Sequence, residues 1–108
     1  MKRVAAVVRP EKLEPLFQAN ICGMTIYQVQ GCGHQHGWKE YFRGSEVFLN
    51  MIPKVKFEIV VSDDQVDSLV DLISSVARTG EVGDGKIFVS DIERVVRVRT
   101  GEENQDAI

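Results

Sequence analysis

Two cysteines in 108 residues, Cys22 and Cys32, form no Cys-x-x-Cys pair, which points to reduced thiols and away from a disulfide framework. No apolar run is long enough to cross a bilayer. The start, Met1-Lys2-Arg3-Val4, does not continue into the apolar segment and small-residue cleavage site of a signal peptide, so a cytoplasmic location is expected. A formal net charge of −3 marks no nucleic-acid or membrane surface, and neither stacking aromatic strands nor a basic face for RNA is present. Also missing are a Ser-His-Asp set, paired carboxylates and a metal motif placed for turnover, so the chain does not read as an enzyme. The length suits one domain whose sheet needs a second layer or another chain to cover it.

What is present is strongly patterned. Residues Lys2 to Arg9 are nearly continuous in Val and Ala, as in a strand buried on both faces, and Pro10 ends them. A short helix is expected within Glu11 to Ala19, stunted because Pro15 is tolerated only in a first turn. Met24 to Gln30 alternates as a second strand. From Gly31 to Ile52 the pattern fails, and connections of that length are uncommon unless they carry function; a mobile loop is expected. Pro53 to Val61 restores alternation, with Val55, Phe57, Ile59 and Val61 on one face. Ser62-Asp63-Asp64-Gln65 has the form of a capping box, and Val66, Leu69, Val70, Ile73, Val76 and Ala77 follow at helical spacing up to a stop at Gly80. A strand at Lys86 to Ser90, a turn at Asp91 to Arg94, a short strand at Val95 to Arg99 and a loosely held polar tail complete the chain.

The stretch Thr79-Gly80-Glu81-Val82-Gly83-Asp84-Gly85-Lys86-Ile87-Phe88-Val89 stands between the clearest helix and an apolar strand. Its glycines allow backbone N–H groups to turn inward around an anion, and Lys86 adds a compact charge. Ile87 stands where the common P-loop needs a hydroxyl for magnesium, so any metal must be held otherwise. By itself such a loop is more often a plain helix-to-strand connection, with Lys86 a solvated lysine and Arg97 and Arg99 the wet face of an edge strand.

The order strand, helix, strand, strand, helix, strand is the ferredoxin-like α+β arrangement, with a long loop between strands two and three and a short extra C-terminal strand. Both helices would lie on one sheet face. Ala5, Val7 and Val60 put apolar groups on faces that two helices cannot cover together, so burial by further copies of the chain is expected.

At this point the chain resembles the P-II nitrogen-regulatory signal transducers over nearly its whole length. The residues Thr79 to Val89 resemble that family's B-loop signature and Arg97-Val98-Arg99-Thr100-Gly101-Glu102 its C-terminal signature; Pro53-Lys54-Val55-Lys56, Glu58-Ile59-Val60-Val61 and Tyr41-Phe42-Arg43-Gly44-Ser45-Glu46 support the match. The resemblance implies a homotrimer of single P-II-like domains, with a flexible T-loop over about residues 33–52, a B-loop over about 78–86 and a C-terminal loop over about 97–108. It implies ATP or ADP bound between subunits, with Gly83, Asp84, Gly85 and Lys86 around the phosphates and Arg97 and Arg99 reaching them from the neighbouring chain. Val7, Thr25 and Val60 would line the base, and Gly31, Gly33 and Gln35 would pass close to the phosphates. Gln35, Gly37 and Lys54 would contact 2-oxoglutarate, and Gln35 would join Mg2+ held by the ATP phosphates, an all-oxygen shell that suits this ion. Partners implied are ammonium transporters, met through Arg43 and giving an indirect membrane link, or enzymes and regulators of nitrogen metabolism. The alternative is a ferredoxin-like trimer that binds metal or small molecules without nitrogen signalling.

Several positions depart from the family pattern. Val47 stands where many members carry a uridylylated tyrosine, and Ser45 falls where some carry a phosphorylated serine, although a solvated loop serine is the preferred reading. Cys32, His34, His36 and Trp38 form Cys-x-His-x-His-x-Trp; without a fourth ligand this reads as two loop histidines near phosphate and not as a metal site. The first helix is about four residues, or roughly 6 Å, shorter than the family's usual one, leaving Leu13, Leu16 and Phe17 to carry its contact.

Overall fold

The Val/Ala run at the N-terminus forms β1 (Lys2–Val8), and the alternating run in the middle of the chain forms β5 (Ile52–Val61). These two pair antiparallel through seven residue pairs, from Lys2 with Val61 to Val8 with Val55, and make the centre of a four-stranded sheet. On one side β2 (Thr25–Gly31) pairs with β5, and on the other β6 (Lys86–Asp91) pairs with β1, both antiparallel. The computed structural model describes residues 1–32, 39–42, 45–48 and 51–108, which comprise this sheet, two helices and a separate hairpin.

The order β2-β5-β1-β6 means that each helix connects two strands separated by one antiparallel neighbour, the ferredoxin-like topology. The first connection holds a 3-10 turn at Pro10–Lys12 and a six-residue helix α1 (Leu13–Gln18). Pro15 sits in its first turn, where the missing N–H has no partner to lose, and Asn20 in the left-handed region (φ 65°) closes its C-terminal end. The second connection opens with Ser62, whose N–H donates to Oε1 of Gln65 at 3.3 Å and whose hydroxyl donates to Gln65 at 2.9 Å and Asp64 at 2.6 Å. The expected capping box is therefore formed; it leads through a 3-10 turn at Asp63–Gln65 into α2 (Val66–Ala77).

Alternation decides what each sheet face meets. Val4, Ala6 and Val8 of β1 and Phe57 and Ile59 of β5 point to the helices and pack with Leu16, Ile21, Ile73 and Ala77. Phe57, Leu16, Ile73 and Val4 are the largest wholly buried side chains. Opposite registers put Tyr27, Lys56, Val7 and Lys86 in one row of the other face, and Thr25, Glu58, Ala5 and Phe88 in the next. Among the described residues no helix covers this face. Phe88 stays 54% exposed and Tyr27 43%, with the Lys56 ammonium 5.6 Å from the Tyr27 ring centre.

Two regions differ from the sequence expectation. Within the stretch expected as one loop, β3 (Lys39–Phe42) and β4 (Ser45–Phe48) pair antiparallel, Tyr41 opposite Glu46. Their mixed polar and aromatic residues give no one-sided alternation because the hairpin forms a sheet of its own. The short C-terminal strand expected over Val95 to Arg99 is reduced to a single bridge, Val96 with Glu103. A strand needs a neighbour, and among the described residues this segment meets its own continuation: Arg97 N–H donates to Glu102 O, Gly101 N–H to Arg97 O and Asn104 N–H to Val95 O, each at 2.8 Å. Nor is the tail loose, since it forms a 3-10 turn at Asn104–Ala107 anchored by the Arg94–Glu103 ion pair.

Candidate functional site

The register fixes where the glycine loop sits. Val8 pairs with Val55 and Val7 with Lys86, so Arg9, Lys54 and the residues just before Lys86 converge at one end of the sheet, although they are far apart in sequence. Here the chain from the end of α2 to β6 wraps around the carboxylate of Asp84. Oδ2 accepts from the N–H groups of Thr79 (2.8 Å) and Gly80 (2.9 Å), and Oδ1 accepts from the Thr79 hydroxyl and from Nε of Arg9 (3.2 Å). These donors, the Thr79 hydroxyl foremost, then the Thr79 and Gly80 amides and Arg9, hold the Asp84 carboxyl well below the usual carboxylate range.

Two cations grip the outside of the loop. Arg9 Nη2 donates to the Val82 carbonyl at 2.8 Å, and the Lys54 ammonium donates to the Gly83 carbonyl. Gly83, at φ 101°, turns the loop in a conformation that favours glycine, and a Cβ there would lie in tight contact with Arg9 Nη2 (3.3 Å) and in ordinary contact with Lys54 Nζ (3.4 Å). Gly31 similarly leaves room for the Lys54 stem, whose Cγ would be 3.2 Å from a Cβ at that position. Gly85, at φ 106°, lies directly against the Val7 carbonyl, so β6 starts in contact with β1 and delivers Lys86 to the open face opposite Val7. The result is a loop of fixed shape bordered by Arg9, Lys54 and Lys86, a cationic rim suited to an anion.

Because the Asp84 carboxyl is held low in the folded chain, its contribution to loop order is complete above the ordinary carboxylate range. That contribution is lost as the pH falls from about 4 towards the folded-state value. Asp84→Asn is expected to expose the Thr79 and Gly80 amides to solvent exchange at neutral pH, and acid is expected to shift the same two amide resonances in the unaltered protein. Unchanged protection in Asp84→Asn would show that the loop is held by something else.

The structure unites some of the residues singled out from the sequence and separates others. Gly31, Lys54, Gly83, Asp84, Gly85, Lys86 and Val7 share one end of the sheet. The Asp84 carboxylate faces inward to its own loop and leaves anion contact to the cations around it. Val60 pairs with Arg3, four residues along β1 from Val7, which is about 13 Å at the usual strand rise. Thr25 stands between them on the edge strand, exposed. No hydrogen bond or ion pair among the described residues joins Arg97 or Arg99 to residues 79–86; Arg97 Nη1 instead binds Glu102 Oε1 at 2.8 Å. Ser45 lies in β4, whereas Gly33, His34, Gln35, His36, Gly37, Trp38 and Arg43 fall outside the described residues. Arg9 was not singled out from the sequence; a cation ending an apolar strand just before a proline is its one local signal.

The family model described as "Nitrogen regulatory protein P-II" matches residues 1–102. The chain belongs to the P-II family of nitrogen regulatory proteins. Similar relatives include "Nitrogen regulatory protein P-II" of Pasteurella multocida, 52% identical, and that of Microchaete diplosiphon, 53% identical. "Nitrogen regulatory protein P-II 1" of Escherichia coli K12 is 51% identical. Each alignment covers the whole of both chains. The P-II relatives are thus matched from end to end, and they are named as regulators. No helix among the described residues is long and apolar enough to cross a membrane.

Proposed function

We propose that this chain is a cytoplasmic, non-enzymatic P-II signal transducer. It binds ATP or ADP at the seams of a homotrimer, senses 2-oxoglutarate together with Mg2+ and ATP, and conveys its ligand state to partners through the T-loop. The observation that carries this reading is the cationic rim around a pre-shaped glycine loop, in which Arg9 and Lys54 come within hydrogen-bonding reach of the loop backbone and Lys86 emerges beside Val7. Polyphosphates carry several negative charges at neutral pH, and guanidinium forks bind phosphate oxygens in a bidentate way.

The fit extends beyond the loop. Gly83, at φ 101°, keeps the loop backbone beside the two cations free of a side chain. Lys54, one of those cations, is a suitable partner for a carboxylate of the oxoacid. Arg97 and Arg99 would complete the nucleotide site from a neighbouring subunit, in keeping with the lack of any hydrogen bond or ion pair between them and residues 79–86 among the described residues, and Val7, Thr25 and Val60 would line the base. The uncovered sheet face with Phe88 and Tyr27 supplies an apolar surface for that assembly. Magnesium would be held by phosphate and oxoacid oxygens and the amide oxygen of Gln35, and would neutralise charge between the two ligands. Gly33 would pass close to the phosphates and Gly37 would contact the oxoacid, Arg43 would serve an ammonium transporter or another nitrogen-metabolism partner, and Ser45 would be the candidate for modification in that loop.

Calorimetric titration tests the reading: ATP and ADP alone, then Mg-ATP with 2-oxoglutarate. Lys86→Ala is expected to weaken ATP binding by about tenfold to a hundredfold, the scale of a charge-assisted hydrogen bond. Tight GTP binding with no response to the oxoacid would point to another class of ligand-binding module.

A further inference from the structure

The C-terminal turn holds a guanidinium and a carboxylate face to face by its backbone. Arg97 N–H donates to Glu102 O and Gly101 N–H donates to Arg97 O, both at 2.8 Å, and the Glu102 N–H is further tied to the Thr100 hydroxyl at 3.2 Å. With the two main chains pinned in this way, the side chains meet, Nη1 of Arg97 donating to Oε1 of Glu102 at 2.8 Å. Both remain about two-fifths exposed, Arg97 39% and Glu102 45%, so the pair is open to exchange with an incoming anion. The next pair along the same turn, Arg94 with Glu103, has the same chemistry but anchors the final 3-10 turn.

We propose that Glu102 sets the nucleotide affinity of the site by occupying Arg97, which rests on the reading of Arg97 as a phosphate contact across the subunit seam. A phosphate group that takes the guanidinium fork must first displace the Glu102 carboxylate or share Arg97 with it. One anion is exchanged for another on a single cation, so the gain from the phosphate contact is reduced by the strength of the resident pair. A weakly charged ligand gains little from the exchange, whereas a polyphosphate brings several charges to the same fork. Glu102 thereby keeps Arg97 from answering to singly charged anions.

Removal of the competitor is expected to strengthen binding. In Glu102→Gln the backbone bonds of the turn stay in place, the side chain keeps its shape and the charge is gone. ATP affinity measured by calorimetry should rise by about two- to fivefold, the reach of an exposed ion pair. Glu103→Gln, with the same change of net charge in the same turn, should leave affinity within about 1.5-fold, because like rim charges act weakly through solvent. In an Arg97→Ala background the Glu102→Gln gain should vanish, since the double-mutant cycle isolates the pair.

Each alternative outcome is distinct. Equal or weaker ATP binding by Glu102→Gln overturns the proposal while leaving the nucleotide reading intact. A gain that persists without Arg97, or that Glu103→Gln reproduces, overturns it in favour of a general charge effect. Absence of ATP binding by the unaltered protein and all four variants removes both this proposal and the nucleotide reading on which it depends.

Discussion

Gly85→Ala is expected to destabilise the protein by about 2–5 kcal/mol, combining the cost of a side chain at positive φ with that of forcing apart packed backbone. At φ 106°, a Cβ on residue 85 would be driven into the Val7 carbonyl, 2.8 Å from its carbon and 3.3 Å from Cα of Val8. Neither neighbour can give way easily, because β1 is paired on both sides by β5 and β6. Gly80 provides the comparison: it too has positive φ (88°), but a Cβ there meets nothing within 4 Å. Gly80→Ala should cost about 1–2 kcal/mol, the conformational part alone. Urea denaturation followed by circular dichroism separates the two; equal shifts would mean that contact with Val7 is not the deciding feature. The same displacement would move Lys86, the next residue, so Gly85→Ala should also weaken anion binding in whatever fraction remains folded.

The second large effect separates the two faces of the sheet. Phe57 is wholly buried beneath the helices, and Phe57→Ala is expected to cost about 3–5 kcal/mol through lost transfer energy and the cavity left behind. Phe88, 54% exposed on the uncovered face, should behave differently. Phe88→Ala should scarcely affect the folding of the single chain and should instead weaken self-association, seen as a lower molar mass by analytical ultracentrifugation at low protein concentration. An unchanged assembly in Phe88→Ala, or a folding loss comparable with that of Phe57→Ala, would show that this face is not where copies meet.

Much of the fold was legible because its signals are local. The capping box at Ser62–Gln65 and the apolar stripe from Val66 to Ala77 specify a helix whose start and buried face depend on residues three and four apart. Alternation over Val55, Phe57, Ile59 and Val61 names the helix-facing side of β5 without reference to any partner, and Phe57 and Ile59 are indeed in the core. The segment from Val95 to Arg99 alternates equally well yet forms one bridge, since alternation describes a strand's faces and not its hydrogen-bonding neighbour. Asp84 was legible as part of an anion loop, but its carboxylate is directed to Thr79, Gly80 and Arg9. The role of Arg9 had no comparable signal, for its partner lies 75 residues away.

By itself the sequence determined the order of the two helices and the four strands of the main sheet, the place of the glycine loop and membership of the P-II family, because these depend on periodicity, turn residues and contiguous signatures. Only the tertiary structure decided that Arg9 and Lys54 close on that loop, that Asp84 organises it from within, and which apolar face is left uncovered. The reason is strand register: the pairing of Val8 with Val55 and of Val7 with Lys86 brings distant charges to one end of the sheet. A shift of one residue in either pairing would turn those side chains to the opposite face.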